Sequence, residues 1–187
     1  KMKNNGTDTA IFDTKGLMIQ KVTLGSKNNE KETDFVIINI TKNLTLGQPL
    51  LVSTENNTEQ INIYYQTTEY SDALDWLDPN LTSSKTKPFL YTQGQAILTR
   101  TWIPIQDSPA NRITYSAKVT VPEDLMAVMS AKNKKEKSRD GNYFFEMKKP
   151  IPSYLIALAV GDLSYQSLGT NTGFYCEPEL AKACLFE

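Results

Sequence analysis

Histidine is absent from all 187 residues. Imidazole is the usual general base near neutral pH and the usual partner of a nucleophilic Ser or Cys. Without it, a Ser-His-Asp or Cys-His mechanism is excluded for this chain alone, as is a helical His-Glu-x-x-His metal site. Cysteine is scarce: Cys176 and Cys184 are too few for a disulfide scaffold, and with no histidine they make a poor zinc site. Both read as ordinary buried or half-buried thiols. Long hydrophobic runs are missing too. The longest, Tyr154-Leu-Ile-Ala-Leu-Ala-Val-Gly161, falls far below the roughly 20 residues of a spanning helix, so no membrane span is expected. Neither sign of charge is in excess, with a net charge of −1, so nothing suggests nucleic acid or an anionic membrane as partner.

The chain is a succession of short alternating or wholly apolar runs separated by turn residues, the pattern of strands. The clearest is 112–121. Ile113, Tyr115, Ala117, Val119 and Val121 fall on one face, and Arg112, Thr114, Ser116, Lys118 and Thr120 on the other. Pro122 ends it, having no N–H to give to a ladder. Further strands are expected at Gly16–Leu24, Asp34–Ile40, Leu50–Ser53, Gln60–Thr67, Gln95–Trp102, Leu125–Lys132, Asn142–Lys148 and Leu155–Ser164. Asp140-Gly141 suits a turn with positive φ and predicts that Leu125–Lys132 pairs with Asn142–Lys148, with the charged run Lys132–Arg139 as a solvated tip. Helical signals are confined to two places. Ser71–Pro79 has room for a turn or two, and Glu177–Glu187 carries an early proline, acidic residues in its first turn and apolar residues at helical spacing. The expected fold class is therefore all-β: one mostly antiparallel β-sandwich or open, saddle-like sheet, with the start of a helix at the C-terminus.

Two clusters could carry chemistry. Asp72, Asp75 and Asp78 surround Trp76, and a pair of acids beside an aromatic suits glycoside hydrolysis. The alternative is that these acids solvate a short helical loop while Trp76 and Leu77 anchor it to the core. The second cluster is Gln93-Gly94-Gln95-Ala96, which interrupts the apolar run starting at Pro88 and precedes Ile103-Pro-Ile-Gln-Asp-Ser-Pro109. Two glutamines beside a glycine put amide donors and acceptors where the backbone is bare enough for close approach of a ligand. On the residues alone, satisfaction of backbone groups at a sheet edge is the competing reading.

This last stretch resembles the substrate-facing segment in the N-terminal domain of zinc aminopeptidases of the leukotriene A(4) hydrolase type. The resemblance covers almost the whole chain and is strongest from Ala73 to Leu163. Phe12-Asp-Thr-Lys-Gly-Leu-Met-Ile-Gln-Lys-Val22 is similar to the family's early strand pair, and Ala73-Leu-Asp-Trp-Leu77 to its Ala-Leu-x-Trp-Leu segment. Ile113-Thr-Tyr, Val121-Pro, Met129-Ser-Ala and the run Pro150 to Leu163 come next, in family order. The resemblance implies a non-catalytic β domain packed over a catalytic domain of the same polypeptide, which binds the zinc and is not contained in this chain. It implies that the parent enzyme removes N-terminal residues from peptides, and that Gln95, with Gln93, Gly94 and Ala96 around it, contacts the bound peptide near its N-terminal residue. No catalytic residue and no metal ligand are then expected here. The expected division is 1–170 for the β domain, with the family's first strands missing, and 171–187 for the connection into the catalytic domain. A free-standing β-sandwich that binds a protein or carbohydrate is the alternative, and the helix cut off at Glu187 weighs against it. No secretory leader is visible at Lys1-Met-Lys-Asn-Asn-Gly, and the Asn-x-Ser/Thr matches at Asn5, Asn39, Asn43, Asn56 and Asn80 do not fix a compartment.

Overall fold

Alternating apolar residues between turn signals become short strands throughout, and every strand pairing among the described residues is antiparallel. The computed structural model describes residues 8–26, 28–39 and 45–186. Asn5 and Asn43, the opening Lys1–Gly6, the end of the expected strand at Ile40, and Glu187 lie outside them. The chain folds as two units: residues up to 73 together with 94–111, and residues 74–93 together with 112 onward.

The first unit carries β1 (Thr9–Thr14), β2 (Met18–Leu24), β3 (Lys31–Glu32), β4 (Phe35–Ile37), β5 (Gln48–Ser53) and β6 (Ile61–Gln66). They form two three-stranded sheets, ordered β1-β5-β4 and β3-β2-β6. Ala10 lies opposite Val52 and Phe12 opposite Leu50, so period two sends one apolar row of β1 and β5 inward. That row meets Val22 and Leu24 of β2 in one core cluster, closed by Ile19, Phe35, Ile37, Ile61 and Ile63. Leu50 and Val52 are wholly buried, which is worth about 1.5–3 kcal/mol for each such side chain.

The second unit carries β7 (Leu74–Leu77), β8 (Phe89–Thr92), β9 (Arg112–Thr120), β10 (Met126–Met129), β11 (Asn142–Pro152), β12 (Leu158–Gly161), β13 (Ser164–Ser167), β14 (Gly173–Cys176) and the helix α1 (Ala181–Phe186). One sheet is ordered β10-β12-β8-β7, and β9–β11 and β13–β14 are ribbons. The strict alternation of β9 gives the longest ladder, broken by a bulge between Met147 and Ile151 where Lys148-Lys149-Pro150 cannot keep register. Tyr143 and Phe145 point inward from β11, and the Tyr143 hydroxyl donates to the Leu125 carbonyl at 3.1 Å while accepting from the Ser138 N–H at 2.8 Å.

The all-β antiparallel class stands as expected, and Cys176 is buried and Cys184 half-buried, both free. Burial pushes the Cys176 thiol upward, with Cys184 beside it adding to the effect. Four local expectations are corrected. Ser71–Pro79 is not helical: the eight residues before Pro79 are too few for a helix to be stable by itself, while β8 offers a ladder, so Leu74–Leu77 is strand β7 and a 3-10 turn comes after it at Pro79–Leu81. Trp76 does not anchor a core but is 65% exposed on that strand. The Asp140-Gly141 turn does not join the strands on either side of it. β10 pairs with β12 and β11 pairs with β9, because the nine-residue alternation of β9 offers the longer matched face. Finally, Gln95–Trp102 is not a strand. It is a turn and then one turn of 3-10 helix at Thr99–Thr101, for reasons that lie in its side chains.

Candidate functional site

The Gln93–Ala96 cluster begins where β8 ends. Gln93, Gln95 and Ala96 are exposed and Gly94 is buried. The Leu98 N–H donates to the Gly94 carbonyl at 2.9 Å and closes residues 94–98 into a turn, within which the Gln95–Ala96 peptide is cis. Gln95 is therefore an exposed residue on a closed turn.

Residues 99–101, next in the chain, are buried. Thr99 and Thr101 have no exposure and Arg100 has 4%. A threonine hydroxyl competes for backbone partners, and here that of Thr101 helps to override the apolar run that suggested a strand. Thr101 Oγ1 donates to the Leu98 carbonyl at 2.7 Å, accepts from the Ala73 N–H at 3.1 Å, and lies 3.0 Å from Ser71 Oγ. The Arg100 N–H and Nε both donate to Asp107 Oδ2, at 3.0 and 3.2 Å, while Nη2 donates to the Asp107 carbonyl at 2.8 Å and Nη1 to the Leu46 carbonyl at 2.6 Å. Asp13 completes the group. Its Oδ2 accepts from the Asp107 N–H at 2.8 Å, its Oδ1 lies 3.5 Å from Arg100 Nη1, and its backbone exchanges both hydrogen bonds with Ile105. A guanidinium this far from water is tolerable only because its donors are met by a carboxylate and carbonyls.

These residues carry little signal in the sequence. Arg100 sits inside an apolar run and Asp107 inside a turn motif, and nothing in their spacing announces a buried pair. The acid cluster gains no such support. Asp72 is ion-paired with Lys15 at 2.5 Å, and Asp75 lies exposed on β7 opposite Tyr91. A zinc ion does not fit the residues present. Among the described residues no group of three or more His, Cys, Asp or Glu side chains is placed to hold a metal, and histidine is lacking altogether. No helix of the described residues is long and apolar enough to cross a membrane.

Known proteins resemble the chain along most of its length. It is 50% identical over 108 residues to aminopeptidase B of Rattus norvegicus, covering 58% of this chain and 16% of that protein. To leukotriene A-4 hydrolase of Xenopus laevis it is 38% identical over 191 aligned positions, covering 95% of this chain and 30% of that protein. Native leukotriene A4 hydrolase from Saccharomyces cerevisiae superposes on the whole chain with a TM-score of 0.84 at 30% identity, covering 28% of that structure. The chain thus spans less than a third of the length of these relatives. Residues 1–155 match the family model of the Peptidase M1 N-terminal domain, and with sequence and fold in agreement the chain belongs to that family.

Proposed function

We propose that this chain is the non-catalytic β domain of a zinc aminopeptidase that removes N-terminal residues from peptides, and that its Gln95 turn forms part of the substrate-binding wall. Residues 1–170 make up that domain in this reading and 171–187 lead into the catalytic domain, whose own side chains hold the zinc. The observation that carries the reading is a contrast along one short stretch: Gln95 and Ala96 are exposed on the turn, while Thr99, Arg100 and Thr101 just beyond it are buried. A side-chain amide on an exposed, hydrogen-bonded turn can donate to and accept from a peptide's terminal residue, and ordering of its backbone lowers the cost of binding. It carries no charge and takes no part in proton transfer, so its contribution is orientation. Recognition of the peptide's ammonium falls to acids on the catalytic domain.

The test is Gln95→Ala in the full-length enzyme. Losing one neutral hydrogen bond to substrate should cost about 0.5–1.5 kcal/mol, or up to roughly tenfold in kcat/KM, with zinc content and folding unchanged. Gln95→Glu should be milder, or favourable on substrates with a free ammonium, since a charge-assisted contact is stronger. Gln93→Ala should do less than Gln95→Ala. Unaltered kinetics on several peptides with Gln95→Ala would remove the substrate role. The isolated chain should show no aminopeptidase activity with added zinc, and activity that tracks the purified chain would refute its non-catalytic assignment.

A further inference from the structure

We infer that the buried Arg100–Asp107 pair, latched by Asp13, is a positioning device for Gln95, so that three side chains which touch no substrate set how well the peptide is held. This rests on the reading of Gln95 as a substrate contact. Its ground is the economy of the contacts. Arg100 uses its backbone N–H, Nε and Nη2 on Asp107 and its Nη1 on the Leu46 carbonyl, all to fix one turn of 3-10 helix. Asp13 holds the Asp107 backbone in turn, and the Lys15 N–H holds the Arg100 carbonyl at 3.0 Å. Between this anchor and Gln95 lies the closed turn 94–98, and the Thr101 N–H and hydroxyl both return to Leu98, the residue that closes it. These contacts link Arg100 to the turn that carries Gln95, and through them a shift of Arg100 is passed to Gln95.

A buried ion pair is a poor device for stability alone, because well-packed apolar side chains in its place are often as stabilising or more so. Its directional bonds fix register and position, which apolar packing does less well. Small displacements of a substrate-orienting group are costly in rate, so a support of this kind has a kinetic signature that a purely structural pair lacks.

The experiment is a kinetic double-mutant cycle in the full-length enzyme, with zinc content measured for every variant. Asp107→Asn keeps the shape of the side chain and removes its charge, and Arg100→Lys keeps the charge and removes the fork. Each should raise KM on aminoacyl and peptide substrates about three- to tenfold with kcat within about twofold, and neither should raise KM further when Gln95→Ala is already present. Where Asp107→Asn does not fold, Asp13→Ala, which removes the half-exposed latch, carries the same comparison with a smaller rise in KM. Effects that add in full to that of Gln95→Ala, or a lowered melting temperature with KM unchanged, would overturn the positioning role. If Gln95→Ala raises KM and the Asp107 and Asp13 variants do not, the clasp fails and the Gln95 reading survives. If Gln95→Ala itself is silent, both fall.

Discussion

Solvent treats two of the polar segments between strands oppositely. Between Leu98 and Asp107 the arginine is buried to 4% exposure and its carboxylate partner to 2%. Between Lys132 and Gly141 the charges stay near water: Lys137 pairs with Asp162 and donates to the Asp124 carbonyl at 2.9 Å, yet its side chain is 35% exposed. Lys135 lies over the Tyr165 ring at 4.7 Å, and the Asp140 carboxylate gathers the Ser138 hydroxyl at 2.6 Å and the Asn142 N–H at 3.1 Å. The second segment is by far the more charged in sequence, but the first is the one in which charge matters most. The difference lies in what each charge would leave behind. Remove Lys137 and Asp162 is rehydrated, whereas removal of Arg100 leaves Asp107 a carboxylate with no water to turn to.

The comparison can be broken by one pair of substitutions of similar size. Arg100→Met should lower stability by about 3–5 kcal/mol, the usual cost of stranding one partner of a buried pair. Lys137→Met should cost at most about 1 kcal/mol, as exposed pairs do, and that loss should shrink further in high salt. Urea denaturation monitored by tyrosine and tryptophan fluorescence measures both. Equal shifts would mean that the two segments are not held by different physics.

Backbone geometry gives the second segment a dependence of its own. Gly141 has φ +66°, and a Cβ built on it would stand 2.0 Å from the Val121 carbonyl oxygen, which belongs to the backbone at the end of β9 and cannot swing aside. Gly141→Ala should therefore cost about 1–3 kcal/mol, from the left-handed conformation and the displacement it forces. Gly169→Ala is the control. Its added carbon would meet the Thr172 hydroxyl at 3.3 Å, the tip of a side chain that can turn, and stability should stay within about 0.5 kcal/mol. A Gly141→Ala variant as stable as the parent would show that the turn can be rebuilt without a glycine, and the charged loop would then owe its shape to side chains alone.

The same physics decides how far each segment was legible. In the first unit β2, β4, β5 and β6 can be read from their apolar residues, Val22, Leu24, Leu50 and Val52 among them, whereas β1 and the two-residue β3 are not among the expected strands. The Gln95 cluster stands out through composition, and the resemblance implies a role for it. The support behind it was hidden, since Arg100 and Thr101 look like solvated residues in an apolar run, and only the return of the chain through Asp107 and past Asp13 makes them interior. The pairing of β11 is hidden for a related reason. A turn dipeptide such as Asp140-Gly141 shows where the chain bends and leaves open which strand lies alongside after the bend. Local chemistry is visible in one dimension, and the partner that satisfies a buried group seldom is.

The smallest effect sharpens the comparison from the solvent side. The Asp140 carboxyl is held down to about 2 from its ordinary 3.8, first by the Ser138 hydroxyl and then by the Asn142 backbone and side-chain amides. A folded-state value below the unfolded one means that the charged form favours folding. Its contribution is complete above about pH 4 and is lost as the pH falls through about 2. Asp140→Asn abolishes the titration and keeps an acceptor in place. The stability gap between parent and variant should thus be widest near neutral pH, narrow as the pH is lowered from about 4 to about 2, and close below that. Because Asp140 is fully exposed, the gap should be small beside that of Arg100→Met and should diminish with added salt. A gap that widens on acidification would reverse the sign and show that the turn around Asp140 is held by its neutral form.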